Sequence, residues 1–366
     1  MNQSKEILNV AMIGHGFMGR AHSNAFQQVN RFFDVPYDVR RKVICGRDHS
    51  RLEAMATRWG WEELETHWPA ILERKDIHVV DIATPNVLHA EIAIAAAQAG
   101  KIVFCEKPLA MSVDEGQRMV AAAKAVPNLV WFNYRRVPAI ALAKDIIGQG
   151  KLGQIYHYRA TYLQSWGTQS APSDLWRFKR SEAGSGVIGD LLSHLVDIAL
   201  VLNGNISELC GMTQTFKSGR DVDDAALLLA RFENRSVGTF EATRYAIGLQ
   251  NRNSFEIHGS GGMIRFNLED LNRLEFFDNT GDPQTQGISN LLVTGAHHPY
   301  VGNFWPPGHI IGYEHTFIAT VADFLSALAS GKEFHPNFGD ALHVQRVLDA
   351  VEQSSRMRTW AAVSRE

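Results

Sequence analysis

The chain has 366 residues, of which 45% are hydrophobic and 20% are charged, and its formal net charge is −3. The length allows two domains with substantial cores, and the composition is typical of a globular protein. A slightly acidic chain is not a general binder of nucleic acid or of anionic membranes, so we expect neither partner.

The cysteine content indicates a reducing compartment. Cys45, Cys105 and Cys210 form no C-x-x-C pair, and three such residues provide neither a disulfide framework nor a zinc cluster. The polar N-terminal segment leads directly into a predicted strand, without a secretory leader, and no uninterrupted apolar run is long enough to span a bilayer. We therefore expect a cytoplasmic protein.

Strands and helices alternate through the first third of the chain. The predicted strands cover residues 7–13, 43–48, 78–85, 101–108 and 129–134. The predicted helices cover residues 17–29, 49–59, 89–99 and 112–126. Gly100 is expected to cap the third helix, and Ser112 with Glu115 forms a capping box at the start of the fourth. This alternation predicts a parallel sheet with helices on both faces.

The segment Arg31–Arg41, RFFDVPYDVRR, lengthens the connection between the first helix and the second strand. It is aromatic and basic. The sequence allows either a loop near the adenine of a bound nucleotide or a contact with a protein partner.

A glycine-rich turn, GHGFMG, follows the first strand and precedes the first helix. In that context G-x-G-x-x-G is a dinucleotide-binding fingerprint. Gly14 permits the tight turn, Gly16 admits the pyrophosphate and Gly19 allows close helix packing. With Phe17 and Met18 they form the predicted phosphate site, where helix N–H groups bind the phosphates.

The end of the second strand bears on the choice of dinucleotide. An acid there binds the ribose 2′-hydroxyl of NAD, whereas an arginine accommodates the 2′-phosphate of NADP. The sequence reads Gly46-Arg47-Asp48, so Arg47 favours acceptance of NADP while Asp48 keeps NAD open. Further cofactor contacts are predicted where the third and fourth strands end, at Thr84, Pro85, Asn86, His89, Glu106 and Lys107.

From about residue 154 the pattern changes to strands separated by turns. Strand-like runs cover 154–166, 209–216, 225–232, 236–246, 254–258 and 263–267, and helices cover 314–330 and 341–354. They predict an α+β domain with a large, mostly antiparallel open sheet and helices on one face. We expect a dinucleotide-binding domain at 1–135 and a second domain at 136–366, with the helix near 341–354 packing back on the first. The open sheet face would be covered by a second subunit, in a homodimer or homotetramer.

The stretch GSGVIGDLLSHLVD places Asp190 and His194 four residues apart, on one face of a predicted helix. Read alone, the pair is either a core histidine satisfied by an acid or a catalytic pair. The preceding glycines are expected to form a flexible approach to the helix.

The motifs GHGFMGRAH, CEKP and the glycine-rich approach to D-x-x-x-H occur in that order. Together they resemble the glucose–fructose oxidoreductase / inositol dehydrogenase / MocA family over essentially the whole chain. Further segments, such as HVVDIATPN, NYRRVPA and IGYEHT, resemble the branch that holds levoglucosan dehydrogenase and glycoside 3-dehydrogenases. Two positions depart from that branch, which has an acid where this chain has Gly46-Arg47 and another acid at Ser165.

The resemblance implies a Rossmann domain followed by a domain whose sheet forms the floor of the substrate site and a subunit interface. It also implies a catalytic set of Lys107, Asp190 and His194. Oxidation of a secondary alcohol needs a hydride acceptor and a base. His194 suits the base role, with Asp190 fixing its tautomer and Lys107 hydrogen-bonding the reacting oxygen. In the alternative, Lys107 is the base, with its pKa lowered by burial.

Candidate substrate contacts combine hydrogen-bonding groups with aromatic faces, as a sugar site requires. They are Tyr134, Arg135, Gln164, Trp166, Trp176, Arg177, Arg244 and His298. The late histidines match no helical pair of metal ligands, so no metal is expected.

The sequence therefore predicts an NAD(P)-dependent dehydrogenase that acts on a sugar, glycoside or cyclitol, with pyranose C3 as one candidate position. Two alternatives stay open. One is a redox-neutral, NAD-dependent glycosidase or lyase that oxidises C3 transiently. The other is a dinucleotide-binding regulator without catalysis.

Overall fold

The computed structural model describes residues 5–168 and 175–364. The chain divides into two compact units. The first comprises Met1–Asn133 and Gly312–Leu342, and the second comprises Tyr134–Ile311 and His343–Glu366. The fold class predicted from the sequence, a Rossmann domain and an α+β domain with a large open sheet, is confirmed.

The helices carry labels in chain order. They are α1 (Phe17–Phe32), α2 (His49–Trp59), α3 (Trp68–Leu72), α4 (His89–Gln98), α5 (Val113–Ala122), α6 (Pro138–Gly148), α7 (Arg180–Ala183), α8 (Ser193–Asn203), α9 (Tyr313–Ala329) and α10 (Phe338–Met357). A π-helical turn, Ile188–Leu192, immediately precedes α8.

The strands are labelled in the same way. They are β1 (Glu6–Ile13), β2 (Tyr37–Cys45), β3 (Glu63–Glu65), β4 (Val79–Ile82), β5 (Ile102–Cys105), β6 (Asn128–Val130), β7 (Ile155–Leu163), β8 (Ile206–Gln214), β9 (Ala225–Phe232), β10 (Val237–Thr243), β11 (Arg252–Gly259), β12 (Gly262–Asn267), β13 (Arg273–Asp278), β14 (Ser289–Leu292) and β15 (Ala361–Ala362).

The sheet of the first unit has six parallel strands in the order β3-β2-β1-β4-β5-β6. All four residues of β4 are buried, as expected for a parallel strand covered on both faces. The predicted parallel sheet is therefore correct. Sequence reasoning missed β3 and α3, because three- and five-residue elements carry too little periodicity to be recognised.

The segment Arg31–Arg41 does not form a long loop, which was one of the two possibilities that the sequence left open. Helix α1 continues to Phe32 and strand β2 already begins at Tyr37. The amide of Asn30 bridges the short connection, since its Nδ2 donates to the Tyr37 carbonyl and its Oδ1 accepts from the Val39 N–H. The three basic residues of the segment all belong to regular structure, Arg31 to α1 and Arg40 and Arg41 to β2.

The predicted capping box at the start of α5 forms in part. The Ser112 hydroxyl accepts from the Glu115 N–H at 3.2 Å. The Glu115 carboxylate, however, accepts from the N–H of Met111, one residue before the cap. Gly100 follows α4 with φ +73°, the left-handed conformation expected of a C-terminal cap.

The sheet of the second unit has nine strands in the order β14-β13-β12-β11-β7-β10-β9-β8-β15. Its pairs are antiparallel except for β7 with β10. Buried and exposed residues alternate along β9, so one face is packed and the other open. The sequence patterns did not reveal β13, β14 and β15.

Helix α9 belongs to the first unit, whereas the sequence-based division placed it in the second domain. Its aromatic side chains explain the difference. Phe317 lies 5.6 Å from the Trp131 ring and 5.7 Å from that of His22, and Phe324 lies 4.6 Å from Phe104, as centroid distances. Helix α10, which was expected to pack back on the first domain, belongs to the second unit from His343 onwards.

One helical stretch, Arg180–Asn203, has the length and composition of a membrane span, contrary to the prediction from the sequence. Within it, 78% of the apolar window is buried inside the protein. A buried core helix has the same composition, and this stretch carries Asp190 and His194.

Candidate functional site

The glycines of the GHGFMG turn have no room for side chains at two positions. Gly14 has φ +115°, and a Cβ there would lie 2.3 Å from the Ala83 carbonyl oxygen. A Cβ on Gly19 would lie 2.8 Å from the Gly14 carbonyl oxygen. These contacts hold the turn against the ends of β1 and β4 and bring α1 close to the sheet, as a dinucleotide fingerprint requires.

The third glycine, Gly16, leaves open space. It is the N-cap of α1, and nothing lies within 4 Å of a Cβ built there. Within the described chain, α1 begins with no side-chain cap and with no acid in its first turn. Phe17 is 58% exposed beside it, and Met18 is half-buried. The helix start can therefore hold a pyrophosphate on its N–H groups, so these residues fit a dinucleotide.

At the end of β2 the acid is already engaged. The Asp48 carboxylate accepts from the Arg51 N–H at 3.1 Å and from the Ser50 hydroxyl at 2.8 Å, and it caps α2. These hydrogen bonds lower the pKa of Asp48. Arg47 is exposed. A Cβ on Gly46 would lie 2.6 Å from the His15 ring, so an acid at that position would displace His15.

The candidates beyond β4 have different roles. The His89 ring is fully buried, with Nδ1 2.9 Å from the Pro108 carbonyl oxygen and Nε2 3.1 Å from that of Thr84. Burial lowers its pKa. His89 therefore braces the two predicted cofactor loops and is not placed as a direct ligand. Pro85 precedes a short 3₁₀ turn in which Asn86 is buried.

Glu106 and Lys107 follow β5. The Glu106 carboxylate faces inward, with Oε1 3.0 Å from His22 Nε2 and Oε2 accepting from the Lys107 N–H at 3.1 Å. Glu106 was predicted as a cofactor contact, but both of its carboxylate oxygens have hydrogen-bond partners within the first unit. Lys107 is half-buried, and its bond to Pro108 is cis.

In the second unit, Asp190 lies in the π-helical turn and His194 in the first turn of α8. The i, i+4 geometry of a regular α-helix therefore does not apply between them. The Asp190 carboxylate accepts from Arg244 Nη2 at 2.8 Å. Arg244 is 1% exposed and also donates to the Gly186 carbonyl. It was predicted as a substrate contact, but its side chain is buried and supports Asp190.

The glycine-rich approach to this helix is not flexible. A Cβ on Gly186 would lie 1.8 Å from the Asp223 carbonyl oxygen. The Asp223 carboxylate accepts from the N–H groups of Gly186 and Ile188 at 2.6 and 2.9 Å. Asp223 thus supplies the cap that the glycines lack, and the helix start is fixed.

His194 lies beside the rings of two tyrosines. Its ring centroid is 4.6 Å from that of Tyr134 and 6.0 Å from that of Tyr162, and the side chain is 7% exposed. The two tyrosine hydroxyls are 3.1 Å apart. A nearly buried imidazole beside two phenols is suited to proton transfer within a sheltered site.

A hydrogen-bonded row continues from Tyr162. Its hydroxyl donates to Asn251 Oδ1 at 2.9 Å, and Gln164 Nε2 donates to the same oxygen at 2.8 Å. Gln164 Oε1 accepts from the Trp166 indole N–H at 2.6 Å. The structure thus brings Tyr134, Gln164 and Trp166 together through two residues that sequence reasoning missed. Tyr162 was detectable as an inward position of β7, whereas Asn251, in a turn, gave no signal.

The remaining candidates are placed as follows. Arg135 pairs with the buried Asp197 of α8, with Nη2 2.6 Å from Oδ1, so it ties its own loop to the helix. Trp176 and Arg177 stack at 4.4 Å. His298 accepts a hydrogen bond from the Gly295 N–H. Its pKa is lowered mainly by burial and also by the neighbouring His297.

In residues 5–168 and 175–364, no three His, Cys, Asp or Glu side chains are grouped so that they could hold a metal ion.

Comparison with known proteins finds matches to both parts of the chain. The description "oxidoreductase family, NAD-binding Rossmann fold" matches residues 8–134, and the GFO/IDH/MocA C-terminal domain matches 140–265. Levoglucosan dehydrogenase of Pseudarthrobacter phenanthrenivorans is 40% identical over 97% of this chain and 98% of its own length.

Solved structures are similar over the same extent. Levoglucosan dehydrogenase in complex with NADH and levoglucosan is 42% identical with a TM-score of 0.96, covering 99% of this chain and 100% of that one. An oxidoreductase domain protein from Kribbella flavida is 46% identical with a TM-score of 0.96, covering 98% of this chain and 100% of that one.

The glycine cradle on a parallel sheet, followed by a unit built on a large antiparallel sheet, defines a dinucleotide-binding oxidoreductase. The chain belongs to the GFO/IDH/MocA family of oxidoreductases, whose N-terminal domain is an NAD-binding Rossmann fold.

Proposed function

We propose that the chain oxidises a secondary hydroxyl of a sugar, a glycoside or a cyclitol with NAD(P). The observation that carries this proposal is the setting of His194, which lies beside Tyr134 and Tyr162 at the end of a row of amide and indole groups. Such a row offers the hydrogen bonds and aromatic faces that a sugar requires. A relative that acts on levoglucosan, at 40% identity, supports an anhydrosugar or pyranoside.

The chain's own residues provide the proton chemistry. His194 accepts the hydroxyl proton, and Lys107 stabilises the alkoxide character of the reacting oxygen by hydrogen bonding. The Asp190 carboxylate, held by Arg244, stabilises the protonated imidazole through its charge. When bound, the nicotinamide accepts the hydride. In the alternative, Lys107 accepts the hydroxyl proton in place of His194.

Gly14, Gly16 and Gly19, with the start of α1, would hold the pyrophosphate of the dinucleotide. We propose that NAD is used and that NADP is also accepted. Asp48 is occupied as the cap of α2, and the exposed Arg47 beside it suits a 2′-phosphate.

We also propose that the enzyme is a homodimer or homotetramer through the nine-stranded sheet. The open face carries exposed apolar side chains on three neighbouring strands: Met212 at 58%, Leu227 at 39%, Leu229 at 53% and Val237 at 42%. An apolar face of this kind favours burial against a second copy. Leu229→Glu should then lower the mass measured by light scattering.

A cytoplasmic location is proposed from the thiols. Cys45, Cys105 and Cys210 are all free, and Cys45 and Cys105 are buried, which suits a reducing compartment.

The experiment that tests the function is a panel of anhydrosugars, glycosides and cyclitols with NAD and with NADP, followed by absorbance at 340 nm. The proposal expects stoichiometric formation of reduced dinucleotide with at least one pyranose. Consumption of a glycoside without net reduced dinucleotide would indicate a redox-neutral glycosidase. Dinucleotide binding with no turnover of any substrate would indicate a regulator.

A further inference from the structure

The side chains of His22, Asp81 and Glu106 form a buried cluster in the first unit, next to Lys107. The His22 ring, 0% exposed, has Nδ1 2.8 Å from Asp81 Oδ2 and Nε2 3.0 Å from Glu106 Oε1. Asp81 is also 0% exposed, and Glu106 is 5% exposed. None of these side chains has a role in the proton chemistry above.

The hydrogen bonds of the cluster are complete when the ring carries both protons. Each ring nitrogen faces a carboxylate oxygen, and the remaining carboxylate oxygens have other donors. Asp81 Oδ1 accepts from the Trp131 indole N–H at 2.8 Å, and Glu106 Oε2 accepts from the Lys107 N–H at 3.1 Å. A neutral imidazole has only one N–H, so the ring could then donate to only one of the two carboxylates that face it.

The electrostatics support the same state. Burial by itself lowers the pKa of His22, but the charges and hydrogen bonds of Asp81 and Glu106 outweigh burial and raise the pKa to about 9. The ring also stacks on Trp131 at 4.1 Å between centroids, which fixes its plane.

The cluster joins the helix of the phosphate site to Lys107. His22 is on α1, three residues after Gly19, and Asp81 is on β4. Glu106 follows β5 and is bonded through one oxygen to His22 and through the other to the backbone N–H of Lys107. Any movement of the Glu106 carboxylate is therefore transmitted to the backbone of Lys107.

We propose that His22, as an imidazolium clamped by Asp81 and Glu106, is a positioning residue that fixes the backbone of Lys107. The inference rests on the proposed function, since Lys107 must act in the reaction for its position to matter.

The test is a kinetic comparison of the full-length chain with His22→Gln, which keeps a donor but removes the charge. We expect kcat to fall between about tenfold and a hundredfold, because small misplacements of a catalytic group cost that much. The Kd of NADH and the KM of the sugar should stay within about threefold, since the phosphate site and the residues around His194 are untouched.

A double-mutant cycle separates positioning from general destabilisation. In a Lys107→Met background, His22→Gln should change the single-turnover rate by less than about twofold, because its effect passes through Lys107. Nitrogen-15 spectra of the labelled His22 ring should show both ring nitrogens protonated at pH 7.5.

Trp61→Phe is the matched control. It removes another buried hydrogen bond of the same helix, the 3.0 Å bond from the Trp61 indole to Ser23, on a residue with no proposed role in the reaction. It should lower the melting temperature while kcat stays within about twofold of the wild type. Should His22→Gln not fold, Glu106→Gln removes charge from the same cluster, and the same kcat loss and non-additivity with Lys107→Met are expected.

Several results would overturn the inference. They are an unchanged kcat in the folded cluster variant, a loss that multiplies fully with that of Lys107→Met, and a neutral His22 ring at pH 7.5. If Lys107→Met itself turned over at a near-normal rate, the proposed function of Lys107 would fail as well, so the two failures are distinguishable.

Discussion

The carboxylate of Asp190 accepts a hydrogen bond from the guanidinium of Arg244 at 2.8 Å, and the arginine is 1% exposed. Arg244 lies on the EATR segment at the end of β10, whereas Asp190 lies in the π-helical turn before α8. The planar guanidinium presents its N–H donors in a fixed geometry, so it orients the carboxylate that it contacts. The Asp190 carboxylate is therefore oriented by the sheet as well as by its own helix.

Replacement of Arg244 by methionine should cost stability and catalysis together. It leaves the partly buried Asp190 carboxylate without this donor, at a cost of about 2 kcal/mol, and we expect kcat to fall by about tenfold or more. Thermal unfolding and steady-state rates measure the two effects. The control is Arg231→Met, which removes an exposed pair with Glu208 and should change stability by less than about 1 kcal/mol. Equal effects of the two variants would contradict the role given to Arg244.

Gly186→Ala should disrupt the start of the helical segment that carries Asp190 and His194. The added Cβ would lie 1.8 Å from a backbone oxygen of Asp223, and backbone cannot move aside as a flexible side chain does. We expect a loss of about 3 kcal/mol, read as a lower unfolding midpoint. Gly148→Ala, at the end of α6 with nothing within 4 Å, should be neutral or slightly stabilising. A Gly186→Ala protein as stable as Gly148→Ala would show that this region is flexible after all.

The surroundings of Asp190 and Gly186 could not be predicted from the sequence. The Asp190 and His194 spacing indicated a helix, and a helix is present. A π-helical turn has no sequence signature of its own, however, and the partners Arg244 and Asp223 are distant along the chain. Side-chain pairing across elements depends on sheet register, which periodicity does not supply.

More of the fold could be predicted from the sequence. Strand and helix alternation predicted the parallel sheet, because buried parallel strands read as apolar runs of four to eight residues. Helix α9 was assigned to the second domain because chain order favours its neighbours in sequence. Its placement in the first unit depends on Phe317 and Phe324 packing against Trp131 and Phe104, contacts between residues that are far apart in sequence.

The His22 cluster predicts a pH dependence of stability. An unfolded histidine titrates near pH 6.5, and the folded pKa is raised to about 9. The stabilisation is therefore fully present below pH 6.5 and is lost as the pH rises through about 9. Over that window it amounts to about 3 kcal/mol. The difference in thermal midpoint between the wild type and His22→Gln should be large at pH 6 and small at pH 9.5, and a constant difference would contradict the imidazolium.

Arg47 should affect NADP more than NAD. Arg47→Ala removes the exposed guanidinium beside Gly46 while leaving the Asp48 cap of α2 in place. We expect kcat/KM with NADP to fall by about tenfold and that with NAD to change by less than about twofold, because only the 2′-phosphate needs the charge. Parallel losses with both dinucleotides would show that Arg47 does not distinguish them.

We propose that this chain transfers hydride from a sugar hydroxyl while His194 and Lys107 provide the proton chemistry. The most direct test of this proposal is a single-turnover measurement at 340 nm with saturating NAD and a sugar that the substrate panel identifies. The wild type should form one equivalent of NADH, and His194→Ala and Lys107→Ala should each be slower by about a hundredfold or more. Their NADH affinity should stay within about threefold of the wild type. A single-turnover rate close to that of the wild type in either variant would show that the substituted residue does not take part in the proton chemistry.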